Sequence, residues 1–104
     1  MDDVVVIGGG IIGAAVAYFL SKEGRKVKVI ERDPTYKQAS FPLSLGGFRR
    51  QFYQKENILL GKFAREFISQ IPELLKTEKN PNPTASMVPN GYLLMFGPEQ
   101  AEEQ

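Results

Sequence analysis

Residues 4–13 read VVVIGGGIIG. Four apolar β-formers run into three glycines, and Gly13 completes a G-x-G-x-x-G spacing with Gly8 and Gly10. Apolar residues then continue to Leu20 at helical density. Strand, tight turn and helix in that order are the context that a dinucleotide-binding turn requires. Each glycine has its own physical task. Gly8 makes a turn that a Cβ would obstruct. Gly10 lets the backbone approach a pyrophosphate, and Gly13 lets the helix pack closely on the strand. The helix starting near Ile11 would aim its unpaired N–H groups and positive dipole end at phosphates.

The rest of the opening follows the same pattern. Strand one, residues 4–7, is wholly apolar, as expected for a strand buried on both faces of a parallel sheet. The first helix is expected from Ile11 to Glu23, apolar over nearly its whole circumference and therefore buried, with Gly24 as its cap. Strand two is expected at residues 26–31, where Val27, Val29 and Ile30 are strand formers. A strand–helix–strand unit of this length implies a right-handed parallel crossover. Glu31 closes it near the ~20-residue spacing at which a dinucleotide fold places its ribose-binding acid. A carboxylate there accepts hydrogen bonds from ribose hydroxyls and repels a 2′-phosphate. A solvated acid at a strand end is the plainer alternative.

Composition narrows the function classes. The chain has 104 residues, no cysteine, no histidine and a formal net charge of +1. No disulfide can form, and thiolate or imidazole metal sites and histidine-dependent triads are excluded. The near-neutral balance argues against nucleic acid as a partner. The uncharged run from Val4 to Leu20 falls short of the about 20 residues of a membrane span and is broken by glycines, so no span is expected. Strand one begins too near Met1 to leave room for a signal or transit peptide, and a cytoplasmic location is expected.

After Asp33-Pro34 the chain is rich in Ser, Gly, Pro and Gln as far as Phe48. A long loop in a compact domain is usually functional or disordered. Ser40, Ser44, Gly46 and Gly47 offer hydroxyls and open backbone N–H groups to a phosphate or ring edge, and equally suit plain loop chemistry. Residues 48–54, FRRQFYQ, place Arg49 and Arg50 among aromatics. The pair suits bidentate binding of a substrate carboxylate, or anchoring of a loop at the surface. A helical period covers residues 56–76, with Leu60, Phe63, Ala64, Phe67, Ile71, Leu74 and Leu75 on one stripe. Pro72 should kink it or split it after Ile71. Residues 77–85 read as a loop. Pro89-Asn90-Gly91 between the apolar residues 86–88 and 92–96 signals a β-hairpin. Pro98, Glu99 and Gln100 resemble the first turn of another helix. A helix without a body suggests a fragment of a longer chain.

Taken together, DVVVIGGGIIGAAVAYFL, VKVIERD, TYKQASFPLSLGGFRRQF and the GYLL of the hairpin resemble the N-terminal part of the FAD-dependent amine/amino-acid oxidoreductases. This is the family of D-amino-acid oxidase, sarcosine oxidase and dimethylglycine dehydrogenase, and the likeness is strongest to its FAD-dependent oxidoreductase domain-containing branch. The resemblance implies an α/β fold: the N-terminal βαβ of a Rossmann-like FAD-binding domain with parallel strands, a long helix, and a β-hairpin from the start of the substrate domain. Residues 1–84 would belong to the FAD-binding domain and residues 85–104 would open the substrate domain. FAD is the implied cofactor. Gly8, Gly10 and Gly13 would surround its pyrophosphate, with Ile11 and Ile12 at the helix start. Glu31 would hold the adenosine ribose and Arg32 would lie beside the adenine. Ala39, Ser40, Ser44, Gly46 and Gly47 would line the route to the isoalloxazine ring. Arg49 or Arg50 would meet flavin or substrate. The implied reaction oxidises the C–N bond of a small amine or amino acid by hydride transfer to the flavin. Relatives are several times longer, so a second chain or a further C-terminal region would complete the fold, and activity is not expected of these residues alone. Two other functions fit parts of the pattern: a catalytically inactive nucleotide-binding or assembly module, and an NAD-dependent dehydrogenase, which the long Ser/Gly loop after Glu31 disfavours.

Overall fold

A computed structural model of the chain describes residues 3–98. The chain divides into two compact units, the first ending at Gly47 and the second beginning at Phe48.

The first unit is α/β. Strand β1 (Val4–Ile7) leads into helix α1 (Ile11–Lys22), which returns to strand β2 (Val27–Ile30). The strands pair in parallel, with Val4 opposite Val27 and Ile7 opposite Ile30. One further bond extends the ladder past the end of β1, from Gly8 N–H to the Ile30 carbonyl at 2.7 Å. Gly8 then turns the chain at φ 96°, a conformation that a side chain would resist. Gly13 brings α1 onto β1. A Cβ there would collide with the Gly8 carbonyl oxygen and stand 3.3 Å from Val6 Cγ1.

Helix α1 stops one residue before its expected end, for a reason visible in the sequence. Gly24 takes φ 81°. Its N–H donates to the Ser21 carbonyl at 3.0 Å, and Arg25 N–H donates to the Leu20 carbonyl at 3.1 Å. These two bonds make a Schellman cap.

Burial departs from expectation. Val4 and Val6 are half-buried on the side that faces α1, whereas Val5 and Ile7 point the other way and are exposed, Ile7 by 88%. The strand expected to be buried on both faces is covered on one. Helix α1, expected to be buried, exposes Ile11, Ile12, Val16 and Phe19. The physical reason is the same for both: no other described element of this unit lies against those faces.

The second unit is built on helix α2 (Lys55–Ser69), followed by the single turn of α3 (Ile71–Leu74). The break falls at Gln70, one residue before the expected split. Pro72 has no N–H to give to the carbonyl of residue 68. Gln70 instead ends one helix and begins the next: its N–H reaches the Glu66 and Phe67 carbonyls, and its own carbonyl accepts from Glu73 and Leu74. The inward face of α2 also differs from the expected stripe. Leu60 and Phe63 are exposed, whereas Ala64, Phe67, Ile71, Leu74 and Leu75 of that stripe are half-buried, and the covered line of α2 also takes in Ile58, Ile68 and the buried Gly61. Gly61 is its centre, because the backbone of residues 49–50 crosses there. A Cβ on Gly61 would meet the Arg49 carbonyl oxygen at 3.1 Å and Arg50 Cα at 3.2 Å.

The expected hairpin does not form. Gly91 has the positive φ (72°) that the Asn-Gly signal demands, but residues 86–88 and 92–96 carry no strand. Leu93 and Met95 are almost fully exposed. A two-stranded hairpin needs a third strand or a helix to pack on, and none covers this one. The expected helix start at 98–100 lies beyond the described residues from Glu99 onward. No helix among the described residues is long and apolar enough to cross a membrane.

The close approach at Gly13 has a measurable consequence. Gly13→Ala must displace the Gly8 backbone and should cost about 2–3 kcal/mol, the upper range for overpacking. Gly10→Ala meets nothing within 4 Å and should cost under about 1 kcal/mol. Urea unfolding followed by circular dichroism would rank them; equal losses would mean that Gly13 is not where helix and strand touch.

Candidate functional site

The site is built where β1 and β2 end side by side. Beyond Ile7 the chain runs through Gly8, Gly9 and Gly10 into α1, and beyond Ile30 it runs through Glu31, Arg32 and Asp33 into the loop. A hydrogen bond joins the two exits. Gly9 N–H donates to Glu31 Oε2 at 2.6 Å, across 22 residues of sequence. Asp33 N–H donates to Glu31 Oε1 at 2.9 Å. These donors, Asp33 first and Gly9 second, hold the Glu31 carboxyl below its ordinary value of 4.5, because they favour the charged form. Each carboxylate oxygen keeps a second acceptor site beyond the N–H that it already takes.

Gly10 is the N-cap of α1, with φ −64° and ψ −175°, and makes no side-chain cap. No acidic residue occupies the first turn of α1. A Cβ on Gly10 would project into open space. The helix start therefore presents backbone N–H groups and an unobstructed approach, which is the chemistry of an anion cradle. Ile11 and Ile12 lie in that first turn and are exposed, Ile12 by 78%.

A cleft of about 480 Å³ opens beside the strand ends. Gly8, Glu31, Arg32, Tyr36, Ala39 and Ser40 are among the residues that line it. The structure thus brings Gly8, Glu31, Arg32, Ala39 and Ser40 to one place. Ser44 does not line it. Its hydroxyl donates to the Phe41 carbonyl at 2.9 Å and accepts from Gly46 N–H at 3.2 Å, so it serves the loop's own turn. Gly46 takes φ 65° in that turn, and Gly47 follows it, exposed. Arg49 and Arg50 belong to the second unit. The Arg49 guanidinium stacks 4.8 Å above the Phe52 ring, and the Arg50 backbone packs at Gly61.

Sequence reasoning did not single out Gly9, Asp33 and Tyr36. Asp33 accepts from both the N–H and the hydroxyl of Thr35, at 3.0 and 2.6 Å, which shapes the loop beside Glu31 and lowers the Asp33 carboxyl below its usual range. The Asp-Pro-Thr triplet carried a turn signal; nothing in it foretold that Tyr36 would fold back on the glycines.

Residues 3–104 match the family model described as FAD dependent oxidoreductase. The chain is 41% identical over 105 residues to the FAD-dependent oxidoreductase domain-containing protein 1 of Bos taurus, covering 96% of this chain and 22% of that protein. To the protein of the same name in Xenopus laevis it is 43% identical over 104 residues, covering 95% of this chain and 21% of that protein. A stretch of 34 residues is 59% identical to squalene monooxygenase SE2 of Panax ginseng, covering 33% of this chain and 6% of that protein. No solved structure matches. The chain spans about a fifth of the length of the domain-containing relatives it matches. With a glycine turn tied to an acid at the end of the next strand, and a match over nearly its whole length, this chain belongs to the FAD dependent oxidoreductase family, whose cofactor is FAD.

Proposed function

We propose that this chain is the FAD-binding N-terminal portion of an oxidoreductase that oxidises the C–N bond of an amine or amino acid. The observation that carries the cofactor half of this reading is the Gly9–Glu31 hydrogen bond, which sets the ribose-reading carboxylate beside the phosphate-reading turn. Gly8, Gly10 and Gly13, with Ile11 and Ile12, form the pyrophosphate end. Glu31 accepts from the adenosine ribose through the acceptor sites its backbone donors leave open. Arg32 lies by the adenine. Ala39 and Ser40 continue the cleft, and Ser44, Gly46 and Gly47 the route toward the flavin ring. Arg49 or Arg50 takes the substrate carboxylate or the flavin edge. The bound flavin supplies a two-electron acceptor for hydride from the substrate's α-carbon. In this reading residues 1–84 belong to the FAD-binding domain and residues 85–104 begin the substrate domain. The amine or amino-acid subtype is supported by the likeness of the loop from Tyr36 to Phe52.

A second reading is favoured by one observation. The apolar faces of β1 and α1 are open to solvent. A catalytically inactive module that binds nucleotide and is completed by another polypeptide would have such faces. The colour of the purified chain, and chromatography of the released chromophore, separate an FAD carrier from a colourless assembly module.

Two outcomes follow for the cofactor site. Glu31→Ala should weaken FAD binding about 10–100-fold, the range for hydrogen bonds to a charged acceptor, and Gly10→Val should abolish it by filling the phosphate approach. Fluorescence titration with FAD measures both; a Gly10→Val chain that still retained stoichiometric flavin would refute the turn assignment. The pH dependence has a definite sign. Because its N–H donors lower the folded pKa of Glu31, the ionised acceptor persists below pH 4.5. The tether to Gly9 contributes fully above the unfolded value and is lost as pH falls through the folded one. FAD should therefore stay bound as pH drops to 4.5 and be released below it. In Glu31→Gln that acid-dependent release should be absent.

A further inference from the structure

Tyr36 is the non-glycine residue with a positive φ, 55°, among the described residues. A bulky L residue keeps that conformation only where its surroundings impose it. Here they do. The Asp33 carboxylate holds Thr35 by two hydrogen bonds, Tyr36 N–H donates to the Asp33 carbonyl at 3.0 Å, and Ala39 N–H donates to the Tyr36 carbonyl at 3.1 Å. The turn sends the ring back over the strand ends. The Tyr36 hydroxyl oxygen lies 2.9 Å from the point where a Gly9 Cβ would stand, and Glu31 Oε2 lies 3.5 Å from the same point. Backbone, carboxylate and phenol therefore converge on one wall of the cleft that Tyr36 lines. Tyr36 is exposed, at 38%, and its hydroxyl has no hydrogen-bond partner among the described residues.

The two side chains are chemically complementary. An ionised carboxylate only accepts hydrogen bonds, whereas a phenol hydroxyl can donate. A ligand that satisfies both must offer hydroxyl donors to Glu31 and an oxygen acceptor a few ångströms away to Tyr36. A ribose 5′-phosphate unit does this: its 2′- and 3′-hydroxyls are donors, and its ring and phosphate-ester oxygens are acceptors. We propose that Tyr36 is a nucleotide-binding residue, whose hydroxyl donates to the ribose-phosphate oxygens of an adenosine 5′-phosphate while Glu31 accepts from the ribose hydroxyls. This rests on the dinucleotide reading of the glycine turn given above, and adds a contact which that reading does not include. A Cβ at position 9 would stand 2.9 Å from the phenol oxygen, so the ring would have to shift to admit it.

The test uses the full chain and ADP as the probe, which carries the adenosine and both phosphates without the flavin. Isothermal titration compares the wild type with Tyr36→Phe and Tyr36→Gly. Tyr36→Phe removes the hydroxyl alone and should weaken ADP binding about 3–10-fold, the range of one net hydrogen bond. Tyr36→Gly suits the left-handed backbone, so the turn persists while ring and hydroxyl are both lost. It should weaken ADP binding further, with an unchanged circular dichroism spectrum. Titration with FMN, which lacks the adenosine half, should not distinguish the three proteins. If both variants bound ADP as the wild type does, the hydroxyl would have no part in the site. Tighter binding by the variants would also overturn the proposal, since the ring would then be an obstruction. A wild-type chain that bound neither ADP nor FAD would overturn the dinucleotide reading itself, and the role of Tyr36 with it.

Discussion

The Glu31 carboxylate is clamped by two backbone donors, Gly9 at 2.6 Å and Asp33 at 2.9 Å, and among the described residues no cationic side chain is bonded to it. That choice of partner matters. A lysine or arginine would neutralise the carboxylate and compete for every lone pair. Two N–H groups stabilise the charge yet leave half of the acceptor capacity pointing outward. The clamp also fixes geometry. It ties the turn that ends β1 to the turn that ends β2, immediately past the last ladder bond from Gly8 to Ile30. The glycine turn and the acid are held in register by the sheet's own hydrogen bonding, continued for one residue by a side chain.

The glycines around this clamp do different things, and a pattern of letters does not separate them. Gly8 is required by its backbone angle, and Gly13 by the Gly8 carbonyl against which it packs. Gly10 is required by neither: its angles suit any residue, and among the described residues nothing lies within 4 Å of where its Cβ would stand. Gly9 is intermediate, since the Tyr36 hydroxyl lies 2.9 Å from where its Cβ would stand.

What could be read from the sequence was whatever depends on neighbours within a few residues. The apolar strand running into glycines, the cap at Gly24 and the break before Pro72 are decided locally, and each lies within a residue of its expected place. Glu31 was legible because spacing after a glycine turn fixes where the next strand ends. The rest required contacts that no local pattern carries. The left-handed turn at Tyr36 follows from three hydrogen bonds that Asp33 makes together with its neighbours. The covered line of α2 is centred on the backbone crossing at Gly61, so Leu60 and Phe63 of the expected stripe are exposed while Ile58 and Ile68, outside it, are half-buried. The Asn-Gly signal did set the angle of Gly91, but a ladder also needs a surface beneath it, and residues 92–96 have none.

That last point bears on how site and stability are divided in this molecule. The clamp, the Schellman cap and the strand ladder are hydrogen-bonded, and they shape the site without help from a core. Hydrophobic burial is the larger force in most folds, at about 1.5–3 kcal/mol for each large apolar side chain fully covered. Here Val5, Ile7, Ile12 and Val16 are all exposed. A parallel sheet normally has both faces covered, so the unit has its hydrogen-bonded frame but not that stabilisation. Anything that covers those faces and any nucleotide that fills the cleft both favour the folded form, and each therefore strengthens the other through the folding equilibrium. In the proposed function, apparent affinity for a nucleotide is then governed by two separable quantities: the fit of the ligand to Gly10 and Glu31, and the fraction of chains in which β1, α1 and β2 are assembled to receive it.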